Sequence, residues 1–114
     1  MKYKIVLVPF PFDDFTNSKV RPAICLTPTI SKFEHIIIAF ITSRIEIADE
    51  KSDLLLRKTI PEFYLTGLKI DSAIRLHRLV TVPKRIILRE LGELPEAYKE
   101  QLRDKVLALF DFEF

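Results

Sequence analysis

The sequence has no tryptophan, one cysteine and only two glycines in 114 residues. A single cysteine excludes a disulfide framework and any cysteine-rich zinc site. Cys25 lies inside an apolar run, so its expected role is that of a small buried hydrophobe. No apolar stretch approaches the length of a membrane-spanning helix. A signal-peptide pattern is also missing, because Lys2-Tyr3-Lys4 leads into a run that reaches proline by position 9. The expectation is a cytoplasmic protein with no membrane partner. Repeats, linkers and low-complexity stretches are absent as well. Neither charge sign dominates: the formal net charge of +2 permits a nucleic-acid partner without requiring one.

What is present is a globular balance, with 48% hydrophobic and 30% charged residues. The length suits one domain over residues 1–114. Tyr3 to Val8 is β-branched and aromatic and reads as a strand, stopped by Pro9-Phe10-Pro11-Phe12. Asp13 to Lys19 is a polar connection, and Val20 to Leu26 a second strand. Thr27 to Phe33 reads as a loop. Ile36 to Ile41 is a continuous apolar run of strand length, expected to be buried on both faces, and it ends abruptly in Thr42-Ser43-Arg44. Residues 45–52 turn acidic and polar and read as a loop. Leu54-Leu55-Leu56 is a short strand, Ile60 to Tyr64 one helical turn, and Gly67 a tight turn. Ser72 to Val82 is β-rich with imperfect alternation, a long strand. Pro83 to Glu90 fits either a helix or a turn followed by a strand. Pro95 suits a first helical turn, and Tyr98, Leu102, Val106, Leu109 and Phe110 recur at helical spacing. The final Phe110-Asp111-Phe112-Glu113-Phe114 is expected to pack back on the body of the protein, since three exposed phenylalanines invite association. Short strands with one terminal helix imply a mainly β (α+β) fold, a small curved barrel.

One stretch concentrates chemistry. Proline at position 22 disfavours the helical region for Arg21 and holds its backbone extended. A guanidinium with five donors thus stands on a stiffened strand entrance after a polar loop, good equipment for gripping phosphate. Pro22 itself, lacking a ladder donor, is expected at the first residue of its strand.

From Pro9-Phe10-Pro11-Phe12 and Lys19-Val20-Arg21-Pro22-Ala23 onward, the sequence resembles the MazF/PemK family of toxin endoribonucleases. Ala39-Phe40-Ile41-Thr42-Ser43, Gly67-Leu68-Lys69-Ile70-Asp71-Ser72-Ala73-Ile74-Arg75 and Leu91-Gly92-Glu93-Leu94 continue the likeness in order over nearly the whole chain. The resemblance implies an SH3-like barrel of the toxin type, a homodimer and cleavage of single-stranded RNA without a metal or other cofactor. It implies too a cognate antitoxin with a disordered tail, and DNA binding as a toxin–antitoxin complex. By the same resemblance Arg21 and Thr42 are the catalytic pair. Three departures stand out. Tyr3-Lys4 replace a common Gly-Asp, Thr16-Asn17 stand where one branch has Glu-Gln, and His77 occupies a position that is commonly acidic.

Metal-independent RNA cleavage needs a 2′-hydroxyl to attack the neighbouring phosphate in line, with charge stabilised on the phosphorane and protons moved. Arg21 supplies charge and paired donors, and Thr42 a hydroxyl. Arg75 and His77, two apart, share one face of a regular strand, and imidazole suits acid–base work. For His77 a catalytic and a structural role both remain open, as do RNA contact and none for Arg75. Asn17, Ser18 and Lys19 in the first loop, with Ser43 and Ser72, are the expected RNA contacts. Phe10, Phe12 and Phe15 offer ring faces for stacking on bases or for packing. Two other readings belong to different classes: a non-catalytic toxin of the same barrel that binds a protein such as DNA gyrase, and an inactive RNA-binding or regulatory relative.

Overall fold

In the computed structural model, which describes residues 1–9 and 19–111, the β-branched and aliphatic runs form six strands. These are β1 (Lys4–Pro9), β2 (Val20–Cys25), β3 (His35–Thr42), β4 (Asp53–Leu56), β5 (Ser72–Pro83) and β6 (Arg89–Glu93), followed by helix α1 (Lys99–Phe110). They make one antiparallel sheet in the order β4-β5-β3-β2-β1-β6, curled into a half-barrel. The fold is mainly β with a single C-terminal helix, as the pattern of short strands implies.

β3 lies inside the sheet and is buried on both faces, which is why its sequence is continuously apolar rather than alternating. Ala39 and Ile41 point into a cluster with Ile5, Ile24, Leu54, Ile74 and Leu76. Ile36, Ile38 and Phe40 point the other way, against Val6, Val8, Ala23 and Cys25. Helix α1 covers the first cluster: Leu102 is buried there, and Tyr98 and Val106 pack beside it, as the helical spacing predicts. Burying a leucine fully contributes about 1.5–3 kcal/mol. Cys25 is fully buried, and burial pushes its thiol up to about 11. Phe112, Glu113 and Phe114 lie outside the described residues.

Some elements differ from the sequence expectation. Pro22 stands third in β2 rather than first. It is tolerated because the pairing of β2 with β3 begins only at the next residue, Ala23 against Phe40. The ambiguous Pro83–Glu90 segment resolves into a 3-10 turn, Lys84–Ile86, leading into β6. The 45–52 loop contains a 3-10 turn, Ile45–Ile47, and the turn expected over 60–64 falls at Phe63–Thr66. A further 3-10 turn, Glu96–Tyr98, precedes α1 directly after Pro95.

The two edge strands, β4 and β6, are not joined by a ladder in this sheet. Instead the 3-10 segment Phe63–Thr66 packs across β6. Both glycines of the chain sit at that crossing. A Cβ on Gly92 would lie 2.1 Å from the Leu65 carbonyl oxygen, and one on Gly67 2.1 Å from that of Leu91. Gly67 also has φ of 73°, the left-handed region that favours glycine. Buried Thr66 locks the turn, its hydroxyl donating to the Phe63 carbonyl at 2.7 Å and accepting the Leu68 N–H at 3.0 Å. Because the opposing atoms are backbone, the contact cannot relax by rotating a side chain. Gly92→Ala is therefore expected to cost roughly 2–3 kcal/mol. In a thermal melt that is a fall in Tm on the order of 10 °C. An unchanged Tm would show that the two segments separate without penalty.

Candidate active site at the end of β3

Near the C-terminal end of β3 the pairing with β2 stops, and the pairing with β5 is interrupted before it resumes at Ile41 and Thr42. On the β2 side, pairing covers Ala23, Ile24 and Cys25 against Phe40, Ala39 and Ile38. Two residues further along, the same register sets Arg21 opposite Thr42. On the β5 side, Ile74 pairs with Ile41 and Leu79 with Ala39, so that Arg75 to Arg78 all stand against Phe40 alone. That insertion is a large bulge, a device that bends a strand and re-aims its side chains. The gap between the three strands is a cavity of about 180 Å³ lined by Arg21, Thr42, Arg44, Arg75 and Arg78, with Phe40, Ile41 and Ile47 as its apolar wall.

Four guanidinium groups on one small cavity make it an anion site. Arg21 is exposed on extended backbone ahead of Pro22. The Thr42 oxygen accepts the Arg44 N–H at 3.1 Å, closing a turn at the strand end and leaving its own proton to be donated elsewhere. The exposed Arg44 side chain pairs with Glu46, its Nε donating to Oε1 at 3.2 Å. The Glu46 N–H, and after it Arg44, hold the Glu46 carboxyl below the usual carboxylate range.

Arg75 is held differently. Its Nε donates to the carboxylate of Asp53, 3.2 Å from Oδ1 and 3.1 Å from Oδ2. The Asp53 side chain has no exposed surface, whereas that of Arg75 keeps 19%. Register brings the two together, since Asp53 pairs with Arg75 across β4 and β5. The Asp49 N–H also donates to Asp53, at 2.8 Å. His77 lies beside this pair, Nδ1 3.6 Å from Asp53 Oδ1 and Nε2 3.4 Å from Arg75 Nη2.

The structure thus brings Arg21, Thr42 and Arg75 to one cavity and leaves His77 exposed outside its lining, beside Asp53 and Arg75. Ser43 is exposed next to Thr42 and Lys19 is exposed just before β2, neither in the lining. Ser72 is buried and gives its hydroxyl to the Ile70 carbonyl at 2.9 Å, away from the lining. Asn17 and Ser18 lie outside the described residues, as do Phe10, Phe12 and Phe15. Sequence reasoning missed Arg44, Arg78 and Asp53. The imperfect alternation of residues 72–82 was the available signal for Arg78, since a bulge is what breaks a period of two. A larger cavity, about 450 Å³, runs between Ile45 and Lys105, and its lining mixes Asp49, Glu50 and Asp53 with Lys51 and Lys105. No group of three or more His, Cys, Asp or Glu gathers to hold a metal among the described residues. No helix among them is long and apolar enough to cross a membrane.

Comparison with known proteins agrees with the fold. The profile of a family described as PemK-like, MazF-like toxin of type II toxin–antitoxin systems matches residues 1–110. Among solved structures, the toxin MazF-mt6 of Mycobacterium tuberculosis superposes with a TM-score of 0.73 at 18% identity, over 97% of this chain and 99% of that one. A mycobacterial endoribonuclease in complex with its cognate antitoxin gives 0.74 at 8% identity, over 100% and 97%. MazF of Deinococcus radiodurans gives 0.70 at 16% identity, over 97% and 96%. No curated protein matches the sequence.

Proposed function

Since the chain belongs to the PemK-like, MazF-like family of toxins of type II toxin–antitoxin systems, we propose that it is a sequence-selective endoribonuclease that cuts single-stranded RNA without a metal ion. One observation carries this reading: the start of β2, the end of β3 and the bulge of β5 converge so that Arg21, Thr42 and Arg75 line the same cavity. In the reaction the 2′-hydroxyl attacks the adjacent phosphorus, forming a P–O2′ bond and breaking the P–O5′ bond. The 2′-proton leaves and the departing 5′-oxygen gains one, giving a cyclic phosphate and a 5′-hydroxyl end. Arg21 and Arg75 stabilise the charge that builds on the non-bridging oxygens, and Thr42 adds a neutral hydrogen bond. Arg44 and Arg78 hold flanking phosphates, and the wall of Phe40, Ile41 and Ile47 receives a base. His77, beside Arg75 though outside the cavity lining, assists proton movement.

The reading extends to partners. A structurally similar mycobacterial endoribonuclease was crystallised with its antitoxin. For this chain the partner is an acidic-hydrophobic tail that lays carboxylates on the same arginines and orders on binding, covering a large surface. A homodimer follows from the family and from apolar side chains left exposed, among them Ile30, Phe33 and Leu88.

Arg21→Ala is expected to slow single-turnover cleavage of a fluorescent RNA in EDTA by on the order of a hundredfold or more, with circular dichroism unchanged. Arg21→Lys restores charge without the paired-donor geometry and should recover only part, and Thr42→Ala should lose less than Arg21→Ala. A folded Arg21→Ala that cuts at the parental rate would remove the mechanism. An unstructured RNA left intact by the wild type would favour the gyrase-type or RNA-binding reading. Light scattering should give about twice 13.3 kDa, and a monomer that still cuts RNA would end the dimer claim. For the antitoxin, co-expression with the adjacent reading frame should yield a complex that Arg21→Glu weakens, while inhibition unaffected by that change would put the tail elsewhere.

A further inference from the structure

We propose that Asp53 is a positioning residue of this cleft, aiming the Arg75 guanidinium at the substrate phosphate and acting only through it. The inference rests on the ribonuclease reading above. Asp53 borders the larger cavity between Ile45 and Lys105 but does not line the one that Arg75 lines, and its side chain has no exposed surface, so it reaches this cleft only through Arg75. What it does is grip one edge of the guanidinium. Both carboxylate oxygens sit on Nε, at 3.2 and 3.1 Å, and His77 Nε2 lies 3.4 Å from Nη2, so Nη1 is the group that neither neighbour engages. An arginine otherwise has many rotamers, and here the bulge leaves it without a regular partner on the β3 side, while the β4 side sets it opposite Asp53.

The carboxylate is itself immobilised. Register fixes it opposite Arg75, and the Asp49 N–H donates to it at 2.8 Å. His77 closes the other side, 3.6 Å from Asp53 and 3.4 Å from Arg75 Nη2. Stability alone is a poor reason to keep such a group. Asp53 lies beside buried Leu54 at the start of a strand whose other core positions are apolar. A buried ion pair there is at best comparable to a well-packed apolar pair. A fixed orientation for a functional arginine is what an apolar pair cannot supply.

The test is a double-mutant cycle in single-turnover RNA cleavage, with Asp53→Asn, Arg75→Ala and the double variant, each also checked by thermal melting. Asp53→Asn should lower kcat by roughly tenfold to a hundredfold, the range for partners that orient a functional group, with KM little changed. In the Arg75→Ala background the same change should cost no further activity. An Asp53→Asn that is folded and cuts at the parental rate overturns the proposal, and so does an equal loss in both backgrounds, which would mark a purely structural role. Should Asp53→Asn fail to fold, the wild-type Arg75 Nε–H decides the matter by nitrogen-15 NMR. Slow exchange with water supports the clamp, and exchange as fast as that of an exposed arginine refutes it. Wild-type protein that leaves RNA intact removes the ribonuclease reading and this one together, whereas wild-type cleavage with an indifferent Asp53→Asn removes only this one.

Discussion

β3 is paired along both edges and buried on both faces, so the chemistry of its last residues depends on where those pairings end. Pro22 helps to end one of them. It cannot donate to a ladder, and pairing between β2 and β3 does not extend past Ala23 toward it. The bulge of Arg75 to Arg78 interrupts the other, by placing four residues against Phe40. Neither interruption alone would make a site. A regular β2–β3 ladder would keep the strand end flat, and a regular β5 would send alternate side chains to opposite faces. Together they open a gap beside the end of β3 and line it with arginines from two strands and a turn.

Crowding four guanidinium groups around about 180 Å³ has an electrostatic cost in the free protein. Like charges at short range repel, more so where water is partly excluded. Two carboxylates offset part of that cost in unequal ways. Glu46 meets Arg44 at the surface, where pairs contribute little and salt screens them. Asp53 meets Arg75 inside the protein, where losing one partner would strand a buried charge. The remaining positive field is of the sign that a phosphate neutralises.

The fold was largely legible because its signals are periodic. The unbroken Ile36–Ile41 run marked a doubly buried strand, and the helical spacing of Tyr98, Leu102 and Val106 marked the face of α1 that packs. The site was legible only where chemistry coincides with punctuation, as for Arg21 before Pro22 and Thr42 at a polar strand end. Arg78 hid because a bulge has no length of its own in sequence: it shows only as an alternation that fails. Asp53 hid for a different reason. It borders an acidic loop, and an aspartate before Leu54-Leu55-Leu56 reads as the last loop residue until register sets it across from Arg75. Ser72 erred the other way, a hydroxyl in a suggestive segment that the fold spends on the Ile70 carbonyl.

The scarcity of glycine has a structural logic that bears on the cleft. A half-barrel whose edges do not pair must be held by something other than a ladder, and here a 3-10 segment packs over β6. Backbone can approach backbone that closely only without Cβ atoms, so both glycines are committed to this one crossing. β3 is neither of the edge strands that the crossing spans, and no residue of the crossing lines the cavity. Closure of the sheet and charge at the strand end are therefore borne by separate residues. The first tolerates almost no change of side chain, because its opposing atoms are backbone. The second can vary in its outer arginines while Pro22 and the bulge keep the gap open, which lets the chemistry at the strand end change without remaking the body that holds it.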